Sequence, residues 1–408
     1  MKSPLLVAIC VSLAVSAGPA EAQDPSSANW REKPWVEPQD TTMATFAPDE
    51  YAWRLFLAMN WPARATGCGP DTAKKIGDVG PTVWERWAIK TDVFLAGAAK
   101  PKAWAELCGE VPVAKTLQPS AQLALARQAR AAAPPQPGSD LEFSPPAGDV
   151  SGGADEEVRL NESAFNFIRD QGLYSRTRQQ AMAAAGVKAI DFPRMGKEVK
   201  AHWVVLPNAA DHSRYHTGKT DDGRTFGLVA LHITTKDLPR WFWATYEHVD
   251  NETRWPAQYP LDFAGWSTVP PRDTYACPAD RPDCRALPKG LGLDSTKWQH
   301  YRLKATQTDW VDSFGEPTRV VNSKIEGGFI QRESSCISCH SLALIGERGP
   351  PMPFTIFKSE QTDSDGRVAN FIGVVKSTDR RPRSGVDPNW KFMQLDFVWS
   401  LRNARPEN

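Results

Sequence analysis

The stretch SSCISCHSLALIG holds Cys336, Cys339 and His340 in the spacing C-x-x-C-H. Three chemistries compete for it: a haem, a zinc ion or a small disulfide. Covalent haem attachment needs two thiols a fixed distance apart to add across the porphyrin vinyl groups. An imidazole directly after the second thiol then reaches the iron from the same side, and this pentapeptide supplies all three. Zinc would need further ligands, and no Cys or His pair stands at the usual finger spacing. A thioredoxin-like pair would open a helix inside a βαβ unit, which this context does not provide. The motif therefore predicts one haem c, held by Cys336 and Cys339, with His340 as the proximal iron ligand.

The compartment fits that chemistry. The chain opens with Lys2, an apolar run from Pro4 to Val15 and a small-residue exit at Ala20-Glu21-Ala22. That pattern reads as a secretory signal peptide over residues 1–22, too short for a retained membrane span. Cys10 lies inside the apolar run behind the bulky Ile9, a poor flank for lipid attachment. No other stretch approaches the ~20 apolar residues needed to cross a bilayer. The expected location is periplasmic or secreted, with no membrane span in the mature protein. Lysine plus arginine (48) balances aspartate plus glutamate (48), so nucleic-acid binding has no electrostatic support.

Outside the motif and Cys10, four cysteines remain: Cys68, Cys108, Cys277 and Cys284. In an oxidising compartment they read as two disulfides. Cys68–Cys108 with Cys277–Cys284 closes the shortest loops of the three possible pairings.

The pattern predicts an α+β chain: a helical N-terminal region, a strand-rich middle and a small, mostly helical C-terminal segment. After the signal, residues 23–130 form a Trp-rich helical region. Within it Tyr51, Leu55, Ala58 and Met59 recur at helical spacing and read as core. The stretch SAQLALARQARAAA is a second strong helix former. Residues 131–158 are rich in Pro and Gly and read as a loop or linker. Residues 159–324 mix helix and strand. NESAFNFIRDQG and the run ending at Gly186 are helices, and KEVKAHWVVLP, FGLVALHITT and RWFWATYEHV are strands. Little periodicity marks 250–325, and NWKFMQLDFVWSLRNA reads as a terminal amphipathic helix.

Residues 325–408 resemble a class I-type cytochrome c domain, through the C-x-x-C-H, the GPP of Gly349 to Pro351 and the terminal LDFVWSLRNA. More broadly, the chain resembles bacterial single-haem cytochrome c family proteins, which share WRLFLAMNWP-like and WFWATYEHVDN-like segments. The resemblance implies that the Pro350 carbonyl orients His340 and that a distal methionine completes the iron. Only Met352 and Met393 follow His340. Met352 is the first candidate, although its closeness to the Gly-Pro turn suits the proximal side, and Met393 reads better as a core residue. His248 and His232 are the upstream alternatives.

A single-electron carrier with a transient redox partner is the leading expectation. A haem enzyme, peroxidase-like or oxygenase-like, and a haem-based ligand sensor are the alternatives, because the upstream region far exceeds what a carrier needs. Hydrolytic chemistry has no motif: G-x-S-x-G, H-E-x-x-H and a phosphate loop are all missing.

Overall fold

A computed structural model describes residues 30–109, 156–220, 223–251, 272–281, 284–310, 318, 320, 322–325, 335–341, 343–348 and 391–407. The fold is α+β, organised on one antiparallel sheet. Helix α1 (Pro48–Asn60) opens with Pro48 and an acidic first turn, Asp49 and Glu50. Strand β1 (Ala88–Ile89) and helix α2 (Trp104–Gly109) follow, then β2 (Glu156–Leu160), α3 (Glu162–Gln171), α4 (Arg176–Ala184) and β3 (Lys197–Val205). The sheet continues with β4 (Thr217–Lys219), β5 (Thr225–Thr235), β6 (Phe242–His248) and β7 (Tyr301–Gln307). Its order is β1-β2-β3-β5-β6-β7, with β4 paired to the start of β5.

The β-branched and aromatic residues of β3, β5 and β6 alternate between two buried faces. One face carries Val199, Ala201, Leu231, Ile233, Ala244 and Tyr246 into a core with α1. Every residue of α1 from Tyr51 to Asn60 is buried, so the apolar stripe expected there has become a helix enclosed on all sides. Its polar groups find partners: Tyr246 Oη donates to the Ala52 carbonyl (2.6 Å), Tyr51 Oη to Asp237 (2.7 Å) and Trp53 Nε1 to Asp273 (2.7 Å). Phe56 packs edge-on to Trp298 and tilted against Tyr246.

The opposite face builds a second core from Phe165 and Ile168 of α3, Ala183 of α4, Trp241, Trp243, Ile337, Ile345, Met393 and Leu401. Helix α3 begins and ends as its sequence dictates. Asn161 Oδ1 accepts from the Ala164 N–H (3.1 Å), and Gly172 closes the helix in the left-handed region (φ 71°).

Several expectations need correcting. Strand β2 starts at Glu156, inside the stretch read as linker, and β7 lies where little periodicity was expected. The terminal segment is not one helix. Residues 392–394 form a strand, β9 (Phe392–Gln394), which pairs with β8 (Leu344–Gly346), and a 3-10 turn covers Trp399–Asn403. Asp396 and Phe397, both at positive φ (47° and 65°), break the helical path between them. SAQLALARQARAAA lies outside the described residues. Both disulfides are present, Cys68–Cys108 with Cα atoms 5.5 Å apart and Cys277–Cys284 at 5.7 Å. Among the described residues no helix is long and apolar enough to cross a membrane.

Candidate haem-binding site

The motif forms a short helix, α5 (Cys336–His340). Ile337 buries its side chain completely in the second core, and Cys336 packs against the same core. The open N-terminus is held by the end of β7. Gln307 Oε1 accepts from the Ile337 N–H (3.2 Å) while Gln307 Nε2 donates to Ser335 Oγ (2.9 Å). Cys336 and His340 stand four residues apart, so they share one helical face. Cys336 is partly buried and takes no part in either disulfide with the four upstream cysteines.

The His340 imidazole is fixed by a carbonyl from far along the chain. Its Nδ1 lies 2.8 Å from the Phe397 carbonyl oxygen, so Nδ1 carries the proton and Nε2 keeps its lone pair for a metal. The turn that delivers this carbonyl is the positive-φ pair Asp396–Phe397. Asp396 is anchored from two sides, accepting Lys236 Nζ (2.7 Å) on Oδ1 and the Phe192 N–H (2.7 Å) on Oδ2. A phenylalanine in the left-handed region is uncommon and costs on the order of 1–2 kcal/mol, so its neighbours must hold it there. The Trp243 indole packs edge-to-face on the imidazole at 4.4 Å, and Trp399 stands 6.3 Å away. Burial pushes the His340 pKa down to about 3. The charges of Lys200 and His232 act the same way and the Phe397 carbonyl opposes them, so the ring is neutral.

The carbonyl in the orienting position is thus Phe397, where the resemblance implied Pro350, which lies outside the described residues. Met352 lies outside them too. Met393 is fully buried on β9 opposite Ile345, a core methionine as its sequence context suggested. His232 sits on β5 between Lys200 and Thr245, close enough for its charge to act on His340. Burial drives its pKa down to about 3, helped by Lys200 and opposed by Glu247. His248 is not with this group. Its Nε2 meets the Arg214 carbonyl (3.1 Å), its Nδ1 accepts the Asp250 N–H (3.1 Å), and its ring stacks on Tyr215 at 3.9 Å. Both ring nitrogens are engaged, so His248 is a structural residue and is withdrawn as a ligand.

The sheet face of His232 carries buried polar groups beyond those a bare packing surface needs. Glu247 accepts Lys304 Nζ (2.7 Å) and Ser323 Oγ (2.8 Å). Burial raises its pKa, but Lys304 and Ser323 outweigh this and hold it below the ordinary carboxylate range. Asn322 Nδ2 donates to Thr245 Oγ1 (2.8 Å).

The donor set fits a haem. One neutral imidazole presents Nε2, a thiol shares its helical face, and indoles line its flank. Among the described residues no three His, Cys, Asp or Glu side chains converge as a bare ion would require. Sequence reasoning named the motif, with His232 as one upstream alternative for the distal ligand. It missed Gln307, Trp243 as the imidazole's neighbour and the Asp396–Phe397 turn, which no local pattern announces. Comparison of the chain with family models, curated proteins and solved structures finds no match.

Proposed function

We propose that the chain is an exported c-type cytochrome, periplasmic or secreted, that carries one haem on Cys336 and Cys339 and passes single electrons to a transient partner protein. The observation that carries the reading is His340: it completes a C-x-x-C-H motif, and the Phe397 carbonyl holds its Nδ1 so that Nε2 is left for iron. Bound haem supplies a reversible one-electron couple. The chain's own residues orient and shield it. Cys336 and Cys339 would tether the macrocycle, and His340 would ligate its iron. The Phe397 carbonyl makes that imidazole a stronger donor, which favours the oxidised state. Trp243 keeps water from one edge of the ring. For the sixth position Met352 is the ligand assigned from sequence, and His232 is the upstream alternative.

A second reading, a haem enzyme of peroxidase or oxygenase type, draws on the buried polar row of His232, Thr245 and Glu247. The two readings separate on one measurement. Denaturing electrophoresis with haem staining should give a coloured band that Cys336→Ala with Cys339→Ala abolishes. The optical spectrum of the ferric protein should be low-spin. A pigment removed by acidic organic extraction overturns the covalent assignment. A high-spin spectrum with fast peroxide turnover overturns the carrier and establishes the enzyme.

A further inference from the structure

A cleft of about 1770 Å³ is lined by residues of β2 and β4, the chain around 81–92 and the loop at 290–297. Its wall includes Trp61, Glu85, Arg86, Trp87, His216 and Lys297. None of these takes part in the haem site.

The charges in this wall are unevenly matched. Glu85 is already engaged: its Oε2 accepts the Thr82 N–H (2.7 Å), the Thr82 hydroxyl (3.0 Å) and His216 Nε2 (2.8 Å). His216 is locked between Glu85 and the Trp298 ring stacked on it at 5.0 Å. Arg86 and Lys297 have no such partners. Arg86 Nε and Nη1 are shut away from solvent with no hydrogen-bond acceptor, and no described carboxylate lies within ion-pair distance of the guanidinium. Lys297 rests its Nζ 5.6 Å from the Trp298 centroid and likewise makes no ion pair or hydrogen bond among the described residues. Burial lowers the pKa of both groups; the charge of Glu85 opposes this in each case, Asp78 opposes it further at Lys297, and Arg159 adds to it at Arg86.

Two partly desolvated cations that make no ion pair, though Glu85 and Asp78 stand in the same wall, are costly unless an anion completes the set. With Nε and Nη1 sealed off, Arg86 offers an anion its remaining Nη2, and Lys297 adds a point charge. Beside them Trp61, Trp87, Leu57 and Leu291 offer an apolar wall, the usual mix of a small-molecule site. We propose that this cleft binds a small organic carboxylate, with its anionic head on Arg86 and Lys297 and an apolar or aromatic body against the tryptophans. The inference does not depend on the haem reading, since no residue is shared.

Calorimetric titration of the full-length purified protein with benzoate, benzamide and inorganic phosphate tests it. Benzoate should saturate one site, with benzamide and phosphate each weaker by about tenfold or more, because one lacks the charge and the other the apolar body. Arg86→Gln should weaken benzoate about tenfold or more and Lys297→Gln several-fold, with circular dichroism matching wild type. Should Arg86→Gln fail to fold, Lys297→Gln carries the test. Four results overturn the proposal: no saturable benzoate binding, benzamide equal to benzoate, phosphate at least as tight as benzoate, or folded variants that bind benzoate as wild type does.

Discussion

Acid should find His248 before it finds most of the core. The ring is fully buried, its Nε2–H donates to the Arg214 carbonyl and its Nδ1 accepts the Asp250 N–H, so the folded state has no place for a second proton. Burial is the main cause of a pKa lowered from 6.5 to about 4, which the Arg214 carbonyl and Asp250 only partly offset. A histidine depressed in the folded state stabilises the fold fully above its unfolded value. That stability is lost as pH falls below about 6.5, and the loss levels off below about 4. The linkage gives about 2 kcal/mol lost by pH ~5 and about 3 kcal/mol by pH ~4. Other histidines contribute as well, so the informative quantity is a difference. Urea unfolding followed by tryptophan fluorescence would compare wild type with His248→Gln at pH ~7.5 and ~5. Glutamine carries no titratable proton, so the gap between the proteins should narrow by about 2 kcal/mol on acidification. A gap that stays constant would refute the reasoning, because it would mean that His248 accepts a proton equally well in both states.

The sixth ligand is the second target: Met352→Leu should convert the ferric haem to high-spin, while Met393→Leu should leave the spectrum unchanged and cost under about 1.5 kcal/mol as a volume-conserving core swap. Conversion by His232→Ala, with Met352→Leu silent, would move the ligand to β5. Opening the Cys68–Cys108 link by paired Ala substitution should cost about 4 kcal/mol, and opening Cys277–Cys284 about 2 kcal/mol, since the first closes a separation of 40 residues and the second of 7. Thermal melts of the two variants rank them, and equal losses would count against the chain-entropy account.

What could be read from sequence was what is written locally. The helical spacing of Tyr51, Leu55 and Met59, the glycine stop at Gly172 and the alternation in β3, β5 and β6 are all short-range patterns. The disulfides were legible because short loops are the simplest pairing. Strand β7 was missed, although Tyr301, Leu303, Ala305 and Gln307 face inward and Arg302, Lys304 and Thr306 alternate with them. The terminal segment misled for the opposite reason. Its apolar residues suit a helix, yet Asp396 is drawn into the left-handed region by Lys236 and the Phe192 N–H, partners more than 150 residues upstream. The candidate site divides in the same way, its thiols and imidazole visible in five residues and their supports, Gln307, Trp243 and Phe397, brought in by tertiary structure alone.

That dispersal orders events in time. The carbonyl that seats His340 is 57 residues downstream, and residues 400–407 tie back to Glu198, Ser175 and Arg176 across more than 200 residues. Contacts of such long range form late, after costly loop closures. The motif is therefore made before the segment that will enclose it, and α5 has no Phe397 to hold its imidazole until that segment arrives. For that interval Cys336 and Cys339 belong to a segment that the C-terminal residues do not yet enclose. Once residues 391–407 have docked, His340 is locked and the second core is closed.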